Sequence, residues 1–103
     1  MGSDVATIYI VDDNAAARRS MEMLVRMKGM NALVFESAEA FIELGDYDPY
    51  SCLIADLRLT GMSGLDLQQV MLDQGIDLPV IIVTGHGEVP AAVRAMENGV
   101  SYS

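Results

Sequence analysis

The sequence is short of the residues that most often carry covalent or transition-metal chemistry, with one cysteine, one histidine and no tryptophan among 103 residues. A lone cysteine makes neither an internal disulfide nor a cysteine-based zinc site, so a reducing compartment is the expected setting. A lone histidine, His86, leaves no second imidazole for a zinc pair. Bases are scarce as well. Six Lys and Arg face fifteen Asp and Glu, giving a net charge of −9. So acidic a segment is repelled by phosphate backbones and anionic lipid, which argues against nucleic-acid binding by this chain. Apolar runs such as Val80-Ile81-Ile82-Val83 are far shorter than a membrane span. The N-terminus has no basic, then long apolar, signal-peptide pattern. After Met1-Gly2 the sixth residue is Ala6, where a myristoylation signal wants Ser or Thr. These absences point to a cytoplasmic domain.

What is present is an ordinary globular mixture, 51% hydrophobic and 20% charged. Residues 1–103 read as a single domain, because a chain of this size buries roughly 60–70% of its unfolded surface and can support one core. Four β-type runs alternate with four helical patterns. Ile8-Tyr9-Ile10-Val11 stops at Asp12-Asp13-Asn14; Asn14 caps a helix on which Ala17, Met21, Leu24 and Val25 recur at helical spacing, and Gly29 ends it. Ala32-Leu33-Val34-Phe35 leads to Ser37, the cap of a short helix that turns Ala38, Phe41 and Ile42 inward. Cys52-Leu53-Ile54-Ala55 again ends at an acid, Asp56, and Ser63 with Asp66 forms a capping box for a helix carrying Leu67, Val70 and Met71. The fourth run, Pro79 to Val83, ends at Thr84; its helix carries Val89, Ala92, Val93 and Met96, with Pro90 in the first turn and Gly99 as terminator. Continuously apolar runs suit parallel strands covered on both faces, and strand–helix alternation makes an open α/β sandwich the expected fold.

In such sheets ligands bind beyond the carboxyl ends of the strands. Those ends carry Asp12 and Asp13, then Asp56, then Thr84. A single Asp after a strand is ordinarily a cap or turn residue; three strand ends delivering three carboxylates and a hydroxyl to one edge are harder to dismiss. Converged carboxylates repel one another unless a cation joins them. Oxygen ligands with open positions suit Mg²⁺, which can balance charge as a phosphoryl group reaches a carboxylate.

Three segments in this order and spacing, Ile10-Val11-Asp12-Asp13-Asn14, Asp56 to Gly64, and Pro79 to Gly87, resemble the receiver domain of two-component response regulators of the FixJ type. The resemblance covers almost the whole chain. It implies a CheY-like, flavodoxin-like doubly wound parallel sheet in the order 2-1-3-4, with Asp56 as phosphoacceptor from a sensor histidine kinase. It further implies Mg²⁺ bound by Asp13, Asp56 and the backbone carbonyl of Arg58, with Asp12 acting through water, and Thr84 as the switch hydroxyl. A DNA-binding output, and so transcription regulation, is the implied destination of the signal.

The chain departs from the family at Thr60, where Pro is usual, and at its end. The family's fifth strand and helix, with the lysine that contacts the phosphoryl group, fall beyond Ser103 by spacing. The expectation is therefore a C-terminally shortened receiver that binds Mg²⁺ but is impaired in phosphorylation or relay. Its fourth strand would then present an unpaired apolar edge, open to homodimerisation or strand exchange. Two other readings stand beside this one. A pseudo-receiver would bind partners without phosphorylation. An aspartyl-phosphate phosphohydrolase would want Asp two positions after its nucleophile, where this chain has Arg58. Gly61-Met62-Ser63-Gly64 falls one residue short of a hydrolase elbow, and Gly85-His86-Gly87 meets Pro90 where a dinucleotide turn needs Gly. Cys52, Met21, Met71 and Met96 read as core, Met23 and Met27 as exposed. The acids Glu36, Glu39, Glu43, Asp46 and Asp48 read as a solvated face.

Overall fold

Short β-branched runs and capped amphipathic segments alternate as the sequence predicts. A computed structural model describes residues 5–57, 59 and 61–83. Along them the chain forms β1 (Thr7–Val11), α1 (Ala15–Met27), β2 (Asn31–Phe35), α2 (Ala38–Leu44), β3 (Ser51–Asp56), α3 (Gly64–Gln74) and β4 (Val80–Val83). The fourth helix expected after Thr84, with Met96, lies outside the described residues.

Local chemistry sets the helix boundaries. Asn14 and Ser37 accept from the backbone N–H of Ala17 and Ala40, closing the first turns of α1 and α2. At α3 the Ser63 hydroxyl accepts from the Asp66 N–H while the Asp66 carboxylate accepts from the Ser63 N–H, the reciprocal capping box. Both α1 and α3 end in a left-handed glycine, Gly29 and Gly75, and in each the next N–H reaches back to a carbonyl in the last turn. At α2 the Tyr47 hydroxyl donates to the Phe41 carbonyl at 2.6 Å. Burial pushes that hydroxyl above its ordinary 10.0, which keeps it a donor.

The four strands are parallel in the order β2-β1-β3-β4, the predicted order. Side chains alternate across the sheet. Ile8 and Ile10 of β1 join Ala32, Cys52, Ile54, Ile81 and Val83 on the face covered by Ala17, Met21 and Val25 of α1. Tyr9 and Val11 join Leu53, Ala55 and Val80 on the face covered by Ala38 and Phe41 of α2 and by Leu67 and Met71 of α3. The central strands are buried on both faces, whereas β2, at the edge, leaves Leu33 and Val34 exposed. At the other end of the sheet the side chains of Val80, Ile81 and Val83 in β4 are buried. β4 is the last strand of the described sheet on this side; the apolar edge expected there depends on residues after Val83, which lie outside the described residues.

Strand register positions the site. Val11 is the partner of Phe35 on one side and of Ala55 on the other. The next residues, Asp12 and Asp56, therefore leave the sheet side by side.

Candidate functional site

Each arm of the acidic edge is held by its own hydrogen bonds. On the first arm the Asp12 N–H continues the ladder to the Phe35 carbonyl at 3.2 Å. Asp12 Oδ1 accepts from the Asn14 N–H at 2.8 Å, and the Asp12 carbonyl accepts from Arg18 Nη1 at 2.8 Å. The turn from strand to helix is thus tied at three points, and it carries Asp12 fully buried with Asp13 exposed beside it. On the second arm the Leu57 N–H bonds the Val83 carbonyl at 2.8 Å, and the Gly64 N–H returns to the Leu57 carbonyl at 2.9 Å. That closes the loop between β3 and α3 directly behind the half-buried Asp56.

The two arms bring Asp12, Asp13 and Asp56 together, with one carboxylate oxygen from each lying within 4.8 Å of the others. Two unit charges about 4 Å apart repel by about 4 kcal/mol at the effective dielectric of a protein surface. Gathering three carboxylates is therefore unfavourable unless a cation is shared. The donors are all oxygen and range from buried to exposed, which leaves room for water and suits a hard divalent ion such as Mg²⁺ better than zinc. The acids fit the metal that the sequence implies.

Of the residues singled out in the sequence, Asp12, Asp13 and Asp56 converge. Thr84, the backbone carbonyl of Arg58, and His86 lie outside the described residues. Cys52 takes no part. It sits near the opposite end of β3, and burial pushes its thiol from an ordinary 9.0 up to about 12, which keeps it neutral and in the core. Lys28, at the C-terminus of α1, also belongs to that far edge. Sequence reading missed two residues. Arg18, which no sequence motif singles out, holds the Asp12 carbonyl. Gly64 backs directly onto Asp56, and a glycine at the first position of a helix, where propensity disfavours it, was the available signal.

Among the described residues no helix is long and apolar enough to cross a membrane. Residues 8–103 match the family model of the response regulator receiver domain. Nodulation protein W of Bradyrhizobium diazoefficiens is 40% identical over 97 residues, 94% of this chain and 43% of that protein. The transcriptional regulatory protein FixJ of the same organism is 38% identical over 92 residues, covering 89% of this chain and 45% of the relative. This chain thus spans less than half the length of either relative. Among solved structures, FixJ-N superposes with a TM-score of 0.73 at 38% identity, covering 96% of this chain and 78% of that one.

Proposed function

The chain belongs to the response regulator receiver domain family, and from that premise we propose that it accepts a phosphoryl group on Asp56 and relays a signal in a two-component pathway. The observation that carries this reading is the convergence of the Asp12, Asp13 and Asp56 carboxylates beyond the carboxyl ends of β1 and β3. Asp13 and Asp56 would hold Mg²⁺ directly, with Asp12 through water and the Arg58 backbone carbonyl as a further ligand. When bound, Mg²⁺ offsets the negative charge that the incoming phosphoryl group adds to an acidic site.

The donor is a phosphohistidine of a sensor kinase. An Asp56 carboxylate oxygen forms the bond to phosphorus as the P–N bond breaks. The electron pair stays on the imidazole, which takes up a proton. The turn tied by Asn14 and Arg18 holds Asp12 in place during this transfer, and the closed loop behind Asp56 fixes the direction of attack. Thr84 would then donate its hydroxyl to the new phosphoryl group, coupling the modification to the segment that follows β4. In this scheme the chain is an acceptor in the cytoplasm, and its product is a changed surface read by a transcriptional output. Pairing of two copies along the β4 edge belongs to the same proposal.

Treatment with acetyl phosphate and Mg²⁺, followed by intact-mass measurement, tests it. The wild type gains one phosphoryl group and Asp56→Asn gains none. Equal labelling of both overturns Asp56 as acceptor. If neither is labelled and beryllofluoride with Mg²⁺ leaves the spectrum of the wild type unchanged, the chain is a binding module without phosphoryl chemistry.

A further inference from the structure

Gly64 opens α3, directly after the Ser63 cap. Its backbone φ is not positive, so a left-handed conformation is not what calls for glycine there. The reason is close approach. A Cβ built on Gly64 would stand 2.7 Å from the carbonyl oxygen of Asp56, 3.3 Å from its carbonyl carbon and 3.1 Å from Cδ1 of Ile82. The first distance is one that real Cβ atoms do not show. The side-chain contact can relax by rotation of Ile82; the contact with the Asp56 peptide cannot, because backbone has no rotamer to change. The Gly64 N–H meanwhile donates to the next carbonyl, that of Leu57. The N-terminus of α3 is therefore seated on the two peptides that carry Asp56 out of the sheet.

We infer that Gly64 is a positioning residue for the acidic site, setting where the Asp56 carboxylate stands relative to the Asp12–Asp13 pair. This rests on the reading of those three acids as a Mg²⁺ site. Asp56 belongs to β3 and the other two acids to the turn after β1, so their separation depends on where each backbone arm is held. The arm after β1 is tied by Asn14 and Arg18. The arm after β3 is tied at Leu57, between Val83 and Gly64. A methyl group at position 64 must move either the Asp56 peptide or the start of α3. The capping box and the buried Leu67 and Met71 hold the helix against a compensating shift, so the strain is shared with the Asp56 peptide at the end of β3. Residues that orient ligands without touching the metal typically change affinity by about 10–100-fold.

The test is a Mg²⁺ titration followed by backbone amide chemical shifts in the wild type, Gly64→Ala, Gly64→Val and Gly75→Ala. Gly75 terminates α3 with a φ of 72° and has nothing within 4 Å of its built Cβ, so its substitution strains the same helix without touching Asp56. The expected result is Mg²⁺ affinity lowered about tenfold or more in Gly64→Ala and further in Gly64→Val. The Asp56 and Leu57 amides should be displaced even without metal, while Gly75→Ala keeps the affinity and those shifts of the wild type. Wild-type affinity in both Gly64 variants with unmoved Asp56 and Leu57 amides overturns the inference. So does an equal loss in Gly75→Ala, which would make the effect one of general stability. A wild type whose Asp12, Asp13 and Asp56 amides do not respond to Mg²⁺ overturns the site reading itself, and is distinguishable because it appears before any substitution is made.

Discussion

At the amino-terminal edge of the sheet Asp48 is surrounded by donors. Its carboxylate accepts from the Thr7 hydroxyl at 3.1 Å and the Tyr50 N–H at 2.9 Å. Its own N–H donates to the Tyr9 hydroxyl and its carbonyl accepts from Ser51. At the carboxyl-terminal edge three aspartates are gathered against one another within 4.8 Å. The same side chain serves two purposes. Asp48 stitches the beginnings of β1 and β3 to the loop before β3, so its charge is consumed by hydrogen bonds that favour the fold. Asp12, Asp13 and Asp56 bring three carboxylates against one another, a repulsion that a shared cation would offset. A buried or clustered polar group therefore has to be judged by what faces it, not by its identity.

The comparison can be broken from either side. The largest effect is expected at the carboxyl edge. With Mg²⁺ at 100 times its Kd, the wild type gains about 2.7 kcal/mol of unfolding free energy by mass action. Asp13→Asn loses most of that gain yet is at least as stable as the wild type without metal, because one source of repulsion is gone. Urea unfolding with and without Mg²⁺ measures both; a metal-free Asp13→Asn that is clearly weaker would mean the acids support the fold after all. At the other edge Asp48→Ala should cost about 1–2 kcal/mol, the loss of two side-chain hydrogen bonds, and leave Mg²⁺ affinity unchanged in the same titration.

The smallest effect sharpens the contrast between a group left in the core and groups brought to an edge. Cys52 is protonated more tightly in the fold, at about 12 against an ordinary 9.0. Its contribution to stability is thus complete below pH 9 and is lost as pH climbs toward 12. By pH 10 the loss amounts to about 1 kcal/mol. Urea midpoints between pH 8 and 10.5 should fall more steeply for the wild type than for Cys52→Ala; parallel curves would show that the thiol does not sense its burial.

What the sequence makes legible is what is local. Asn14, Ser37 and the Ser63–Asp66 box are each settled within one helical turn, and all three were read correctly. The three converging acids were legible because each follows an apolar run, and a parallel sheet brings all such ends to one edge. The exposure of Leu33 and Val34 follows from the edge position of β2, which the order 2-1-3-4 implied by the family resemblance already gives but the residues of that run alone do not. The link from Tyr9 to Asp48, which joins residues far apart in the chain, was not legible, nor was the seat of Gly64 on Asp56. In the sequence Gly64 follows a good cap and looks like a minor defect in a helix. Only the packed structure shows that a larger residue has nowhere to go.

The order of the strands also bears on how the chain is made. Of the described strands β1 is made first, yet it occupies the interior of the sheet, with β2 on one flank and β3 on the other. Its first neighbour follows after a single helix, but its second begins only at Ser51, about forty residues later. During that interval one side of an apolar strand has its backbone donors and acceptors unmatched, a state prone to wrong pairing in a crowded cell. Beyond β1 the described sheet extends in one direction through β3 and then β4, so among the described residues no strand has to insert between two already paired. The described strands after β2 can therefore add to the sheet in the order in which they are made, and the pairing of β3 with β1 both satisfies that flank and brings Asp56 beside Asp12.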